Sequence, residues 1–277
     1  MILLRLYKHM TNQFKKRILT ATIWIPLFLF LLFYLSSIQF LIFTAFITLI
    51  GAWEWTRLSG ISNLFWRYAY LALMGYVLFS MLFVFAPIVF FLAFVVWLFA
   101  IILILRYPTS SLLSKNLVWR GSMGIVVLVP CWVAINFIRN QPQGVYLLLA
   151  LFLLIWGADS AAYFVGKKWG KTKLAPHISP GKTREGCIGA LIFSLCFALL
   201  IFYFEPSLRQ KWLGVILLTF ITVIFSIVGD LFESMLKRQV GLKDSGKLFP
   251  GHGGLLDRID SLTAAAPIFA LGIGWFT

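Results

Sequence analysis

Asp257 and Asp260 stand three residues apart, and Asp230 and Glu233 repeat that spacing at the end of an apolar segment upstream. Residues three apart share one face of a helix, so each pair presents two carboxylates together. Two such pairs at neighbouring helix ends make a donor set for a hard divalent cation. Magnesium takes one or two carboxylates and completes its shell with water and substrate phosphate oxygens. Four acids exceed the needs of one hydrated magnesium, so a second cation is compatible with the set. Between the pairs runs a basic, glycine-rich stretch with Lys237, Arg238, Lys243 and Lys247 among Gly246, Gly251, Gly253 and Gly254. Glycines let backbone amides approach phosphate oxygens, and the cations neutralise their charge. The competing reading of a single acid is a local ion pair, Asp257 with Arg258 or Glu233 with Lys237. Four acids at matching spacing around one basic run favour a site. His252 either bonds a phosphate or is a turn residue.

A second constellation comprises Asp159-Ser-Ala-Ala-Tyr163, Gly166-Lys-Lys-Trp-Gly170 and Ser179-Pro-Gly-Lys-Thr-Arg-Glu-Gly186. Gly181-Lys182-Thr183 has the ending of a nucleotide-binding P-loop, but the required upstream glycine is missing and no strand is expected before it. Lys182 and Arg184 remain candidates for holding nucleotide phosphates, arginine because its fork suits bidentate binding. Asp159 falls at the end of an apolar segment, where a direct role and a structural bond to Ser160 or Lys167 are both open.

The elements that carry these residues are membrane helices. Of the 277 residues 61% are hydrophobic and only 12% charged, too little charge for an aqueous exterior. A span needs about 20 mostly apolar residues, and candidates fall near 18–36, 38–53, 68–86, 88–105, 121–138, 145–165, 188–204, 212–230 and 259–276. The runs are continuously apolar, which excludes alternating barrel strands. The expected fold class is therefore all-α, a polytopic membrane protein with about nine transmembrane helices and cytoplasmic loops forming the site. Placing the N-terminus in the cytoplasm puts all 24 lysines and arginines except Arg139, Arg209 and Lys211 on the cytoplasmic side, as the positive-inside bias requires. The C-terminus then lies outside. The net charge of +15 is spread over short cytoplasmic clusters, which points to anionic headgroups and phosphates and not to nucleic acid. The basic N-terminus runs into the first apolar segment without a small-residue cleavage site, as expected for a retained helix. Cys131, Cys187 and Cys196 lie in or beside apolar runs and read as buried and reduced; His9, His177 and His252 form no zinc pattern. Residues 1–144 read as scaffold helices and 145–277 as the catalytic region of one continuous membrane domain.

The run from Ser234 to Asp260, with its Lys-Arg, Lys-Asp, Pro-Gly-His-Gly-Gly and Asp-Arg-Ile-Asp blocks, resembles the signature of the phosphatidate cytidylyltransferases, and the Asp159–Gly186 block resembles a second part of it. The resemblance implies that CTP and phosphatidate give CDP-diacylglycerol and pyrophosphate at the inner face of a bacterial inner membrane, among membrane lipids. It implies Mg2+ held by Asp230, Asp257, Asp260 and Glu233, with Asp230, Asp257, Asp260, Lys237 and Arg238 as the catalytic set. Substrate binding would fall to Asp159, Ser179, Lys182, Arg184, Lys243, Lys247, His252, Gly253, Gly254 and Arg258. Oligomeric state stays open between monomer and homodimer. A phosphatidate headgroup is already ionised near neutral pH, so no general base is needed. A lipid kinase would need a base to deprotonate a hydroxyl. A transporter would spread its acids through the bilayer depth, whereas these gather at one face.

Overall fold

A computed structural model describes residues 26–109, 116–246, 248 and 253–274. Of the expected site residues, Lys247 and His252 lie outside the described residues, as does Gly251. A helix over 26–34, α1, leads into α2 (Ser37–Ser59), α3 (Leu64–Met81), α4 (Ala86–Leu105), α5 (Leu117–Arg139) and α6 (Gly144–Trp169). A hairpin of β1 (Lys173–Ala175) and β2 (Ser179–Thr183) follows, then α7 (Arg184–Phe204), α8 (Trp212–Gln239) and α9 (Leu256–Ile273). Seven helical stretches among the described residues, α2 to α8, are long and apolar enough to cross a membrane. The architecture is all-α and polytopic.

The centre of the bundle is α5 and α9. In α9, Ala264, Ala265 and Ala266 are fully buried; small side chains let helices approach where lipid supplies no hydrophobic drive. Gly229 of α8 serves the same end, since a methyl group there would meet the Asp260 carbonyl oxygen at 2.5 Å and Ala264 Cβ at 3.1 Å. At the far end of the same pair Gly272 meets Leu218, so α8 and α9 are antiparallel. Trp55, Trp97, Leu128, Met235 and Leu256 fill the space between α2, α4, α5, α8 and α9. Pro130 and Pro267 both sit inside helices, which run through them.

Polar bonds mark the two ends of the bundle. At one, Asn136 Nδ2 donates to Thr44 Oγ1 at 3.0 Å and Arg139 donates to the Leu35 carbonyl at 3.0 Å. At the other, Trp55 Nε1 donates to the Arg120 carbonyl at 2.8 Å and Tyr70 Oη to the Gly121 carbonyl at 2.9 Å. Helices α2 and α5 are thereby antiparallel, and the candidate site residues gather at the second end.

Three local differences from the sequence reading follow from hydrogen bonding that hydropathy does not register. Helix α2 runs to Ser59 instead of stopping near 53, which takes Glu54 and Arg57 into the helix. Helix α8 continues past Asp230 to Gln239, so Lys237 and Arg238 are helical and not part of a flexible loop. It stops where Gly241 adopts φ 69°, with Leu242 N bonding the Lys237 carbonyl at 2.9 Å and Gly241 N the Arg238 carbonyl at 3.2 Å, a paired closure that needs a left-handed residue. The segment 173–183, read as loop, is the hairpin. Of the cysteines Cys131 is buried, but Cys187 is only partly so and Cys196 is exposed, on an α7 face directed away from the bundle.

Candidate active site

The hairpin and the α6–α7 crossing place Lys182. Glycines allow that crossing: Gly166 and Gly186 meet with Thr183 between them, and Gly189 sits against Val165. Strands β1 and β2 pair antiparallel, Lys173 opposite Thr183 and Ala175 opposite Ser179, and buried Ile178 anchors the turn. Thr183 then caps α7, its hydroxyl accepting from Gly186 N at 3.1 Å, while Glu185 accepts from Thr172 N at 3.1 Å. Gly181-Lys182-Thr183 thus lies within a strand running directly into a helix, not in a phosphate-wrapping loop. Lys182 Nζ reaches Asp230 at 2.5 Å, and Arg238 Nε donates to the Ile178 carbonyl at 3.2 Å, which locks the hairpin onto α8.

On the inner face of α8, one helical turn apart, stand Asp230, Glu233 and Lys237. Lys237 Nζ lies 2.7 Å from Asp257 Oδ1 and 3.2 Å from Glu233 Oε1. The Glu233 contact is an ion pair without hydrogen-bond alignment, leaving Glu233 Oε1 buried with no hydrogen-bond partner. Asp257 is saturated. Its Oδ2 accepts from Ser245 N at 2.9 Å, Ser245 Oγ at 3.0 Å and Gly254 N at 2.8 Å. The Asp230 carboxylate also accepts from Ser234 Oγ at 3.2 Å, and Asp260 Oδ1 accepts from Ser261 N at 2.8 Å. Asp159, exposed on α6, lies within electrostatic reach of Asp230 and Lys182. Asp260 feels those of Asp230, Lys182 and Lys237.

The structure therefore brings together Asp159, Lys182, Asp230, Glu233, Lys237, Asp257 and Asp260, and it braces Arg238 against the hairpin. Ser179 lies on β2 and Arg184 is the exposed first residue of α7, while Lys243 is exposed beyond α8 and Arg258 exposed on the first turn of α9. Gly253 and Gly254 turn the chain into α9. The Gly254 amide is given to Asp257, so here the glycines seat a carboxylate instead of standing open to phosphate.

Sequence reasoning overlooked Glu54. This carboxylate, 5% exposed, accepts from Leu255 N at 3.0 Å, Leu256 N at 2.9 Å and Ser245 Oγ at 3.0 Å. One turn further along α2, Arg57 donates to the Ser245 carbonyl at 3.1 Å. The available signal was the rule that acids in membrane segments serve a function, applied to the later acids but not to this one.

The donor set fits a divalent cation in chemistry. Five carboxylates (Asp159, Asp230, Glu233, Asp257 and Asp260) outnumber the two lysines beside them, Lys182 and Lys237, so the set holds more oxygen donors than its own cations can pair. No three acidic, histidine or cysteine side chains among the described residues converge closely enough to bind an ion by themselves. A magnesium ion completed by water and phosphate needs only one or two, and Asp230, Glu233 and Asp260 each keep acceptor capacity that protein donors do not fill.

Carboxylates and lysines are clustered at one end of a bundle whose helices are long and apolar enough to cross a membrane, an arrangement suited to binding phosphate compounds. A sequence model of the Cytidylyltransferase family matches residues 15–276. The chain is 43% identical over 266 residues to a phosphatidate cytidylyltransferase of Pseudomonas aeruginosa, covering 94% of this chain and 98% of that one. It is 36% identical to one of Haemophilus influenzae, covering 92% and 97%, and 39% identical to one of Bacillus subtilis, covering 65% and 68%. The chain belongs to the cytidylyltransferase family and is a nucleotidyltransferase of the membrane.

Proposed function

We propose that the protein transfers the cytidylyl group of CTP to phosphatidate, giving CDP-diacylglycerol and pyrophosphate in phospholipid synthesis. The observation that carries this reading is the meeting of α8 and α9 at Gly229, which gathers Asp230, Glu233, Asp260 and two lysines where a lipid headgroup and a nucleotide would meet. An oxygen of the ionised phosphatidate attacks the α-phosphorus of CTP. The bond to the bridging oxygen of the β-phosphate breaks, and pyrophosphate leaves with that electron pair. No proton has to be removed from the nucleophile, which accords with a site made of acids and lysines.

The obstacle is bringing two polyanions together. Asp230 and Asp260 would hold Mg2+, which supplies charge neutralisation of the phosphate oxygens when bound. Asp257, with both oxygens committed to protein donors, orients Lys237 and the turn before α9 instead of ligating the ion. Glu233 remains a reserve carboxylate for a second cation. Lys182, at the mouth of the cluster, exchanges its contact with Asp230 for substrate phosphate, and Arg184 and Lys243 meet the leaving pyrophosphate. Asp159 and Trp156, both exposed on α6, border the lateral face through which the lipid headgroup enters. The site end faces the cytoplasm, with the N-terminus on that side and the C-terminus across the bacterial inner membrane; association as a homodimer is compatible with the exposed apolar faces.

The test follows the label. With purified protein in detergent, magnesium and phosphatidate, α-phosphate-labelled CTP passes its label into extractable lipid, and γ-labelled CTP passes its label into pyrophosphate. Label from the γ-position in lipid would make the protein a lipid kinase and overturn the reading.

A further inference from the structure

Helix α9 carries Asp257 and Asp260 in its first two turns, yet it has no cap of its own. The residue before it, Leu255, offers no side-chain acceptor, and the first amides of a helix require one. The acceptor comes from 201 positions away. Glu54 Oε1 takes Leu255 N and Glu54 Oε2 takes Leu256 N, with Ser245 Oγ between Glu54 Oε2 and Asp257 Oδ2 at 3.0 Å from each. The fit leaves no slack: a methyl group on Gly246 would lie 2.1 Å from Glu54 Oε1, and one on Gly254 would lie 2.4 Å from Glu54 Oε2. Arg57 grips the same segment through the Ser245 carbonyl.

We infer that Glu54 is a positioning residue for the transfer reaction: a carboxylate lent by α2 to cap α9, fixing where the Asp257–Asp260 face stands relative to Asp230 and Lys237 on α8. A carboxylate at a helix N-terminus is favoured by the helix dipole as well as by its hydrogen bonds. Gly229 fixes how closely α9 approaches α8, and Glu54 fixes its height and rotation, because two adjacent backbone amides bonded to two oxygens of one group permit neither sliding nor turning. This inference rests on the reading of Asp230 and Asp260 as the carboxylates that serve the transfer.

Glu54→Gln tests it, since the amide nitrogen sets a donor against a backbone donor while volume is kept. Two measurements are made on the folded fraction. Hydrogen exchange at the Leu255 and Leu256 amides quickens in the variant, with exchange elsewhere in α5 and α8 unchanged. The kcat falls by about a hundredfold, the scale on which small misplacements act, while KM for CTP moves less than about threefold. Asn136→Ala is the control: it removes a comparably buried polar bond between α2 and α5 at the opposite end, and it lowers Tm while leaving kcat and those two amides as in wild type. Should Glu54→Gln fail to accumulate, Ser245→Ala removes the bridging hydroxyl alone and lowers kcat by about tenfold. Unchanged exchange at 255 and 256 in Glu54→Gln, or a kcat within twofold of wild type in whichever variant folds, overturns the inference. Wild-type protein that turns over no CTP refutes the proposed reaction instead, and the exchange measurement still decides the cap.

Discussion

Lys237 is shared between Glu233 and Asp257, and all three side chains are buried at 10% exposure or less. Removing one partner of such a set leaves uncompensated charge, which costs far more than the set contributes when intact. Lys237→Met is expected to lower stability by about 3–5 kcal/mol, read as a fall in Tm in detergent, and to abolish turnover. Lys182 is different. Its pair with Asp230 is partly exposed, 27% on each side, and exposed pairs contribute about 1 kcal/mol or less. Lys182→Ala should leave Tm nearly unchanged and raise KM for CTP, because the lysine is held at the mouth of the cluster for substrate. A Tm loss as large as that of Lys237→Met would contradict this division of roles. These acids and bases could be picked out from spacing alone. The Glu233–Lys237 pair was legible from its spacing of four; the Lys237–Asp257 pair was not, because Lys237 meets Asp257 across a turn whose geometry is set by Gly241 and by Glu54, neither of which belongs to the repeated pattern.

The elements that hold most of the candidate site are α8 and α9, and their contact depends on a residue without a side chain. Gly229→Leu would drive a bulky group into the Asp260 carbonyl and Ala264, and overpacking of this kind typically costs about 1–3 kcal/mol. The expected outcome is folded protein with strongly reduced turnover, as Asp230 and Asp260 are pushed apart; turnover at the wild-type rate would show that their separation is not critical. Hydropathy locates these helices well in the apolar stretches and fails at their ends. At Asp230 the apolar run ends, but Ser234-Met-Leu-Lys-Arg-Gln continues in residues that sustain a helix, so the helix proceeds for more than two further turns into the charged zone. The β1–β2 hairpin escaped notice for a related reason: three and five residues are too few to show an alternating pattern.

For the molecule as a whole, the two polar ends of the bundle predict a fixed orientation. Single cysteines introduced at Lys173 and at Asn140, in a background lacking Cys131, Cys187 and Cys196, should label from opposite faces of sealed vesicles, with position 173 on the cytoplasmic side. Labelling of both from one side would refute the topology. The overall class was legible because 61% hydrophobic content leaves few alternatives, and the candidate site was legible because the few acids of such a chain stand out, most of them in its second half. The contribution of the N-terminal half was not, since one glutamate among apolar neighbours carries no motif, and its partners come within reach only when α2 packs against the start of α9.

The central claim is that Asp230 and Asp260 serve cytidylyl transfer from CTP to phosphatidate. The most direct measurement compares magnesium-dependent formation of CDP-diacylglycerol by purified wild type, Asp260→Asn and Asp257→Asn, with Tm recorded for each. The account predicts turnover in wild type. It predicts a loss of about a hundred- to a thousandfold in Asp260→Asn with Tm maintained, the scale seen when a group stabilising transition-state charge is removed. In Asp257→Asn it predicts lower activity accompanied by a fall in Tm, because Lys237 and the Ser245 turn lose their anchor. Full activity in Asp260→Asn, or no CDP-diacylglycerol from the wild type with any divalent cation, would contradict it.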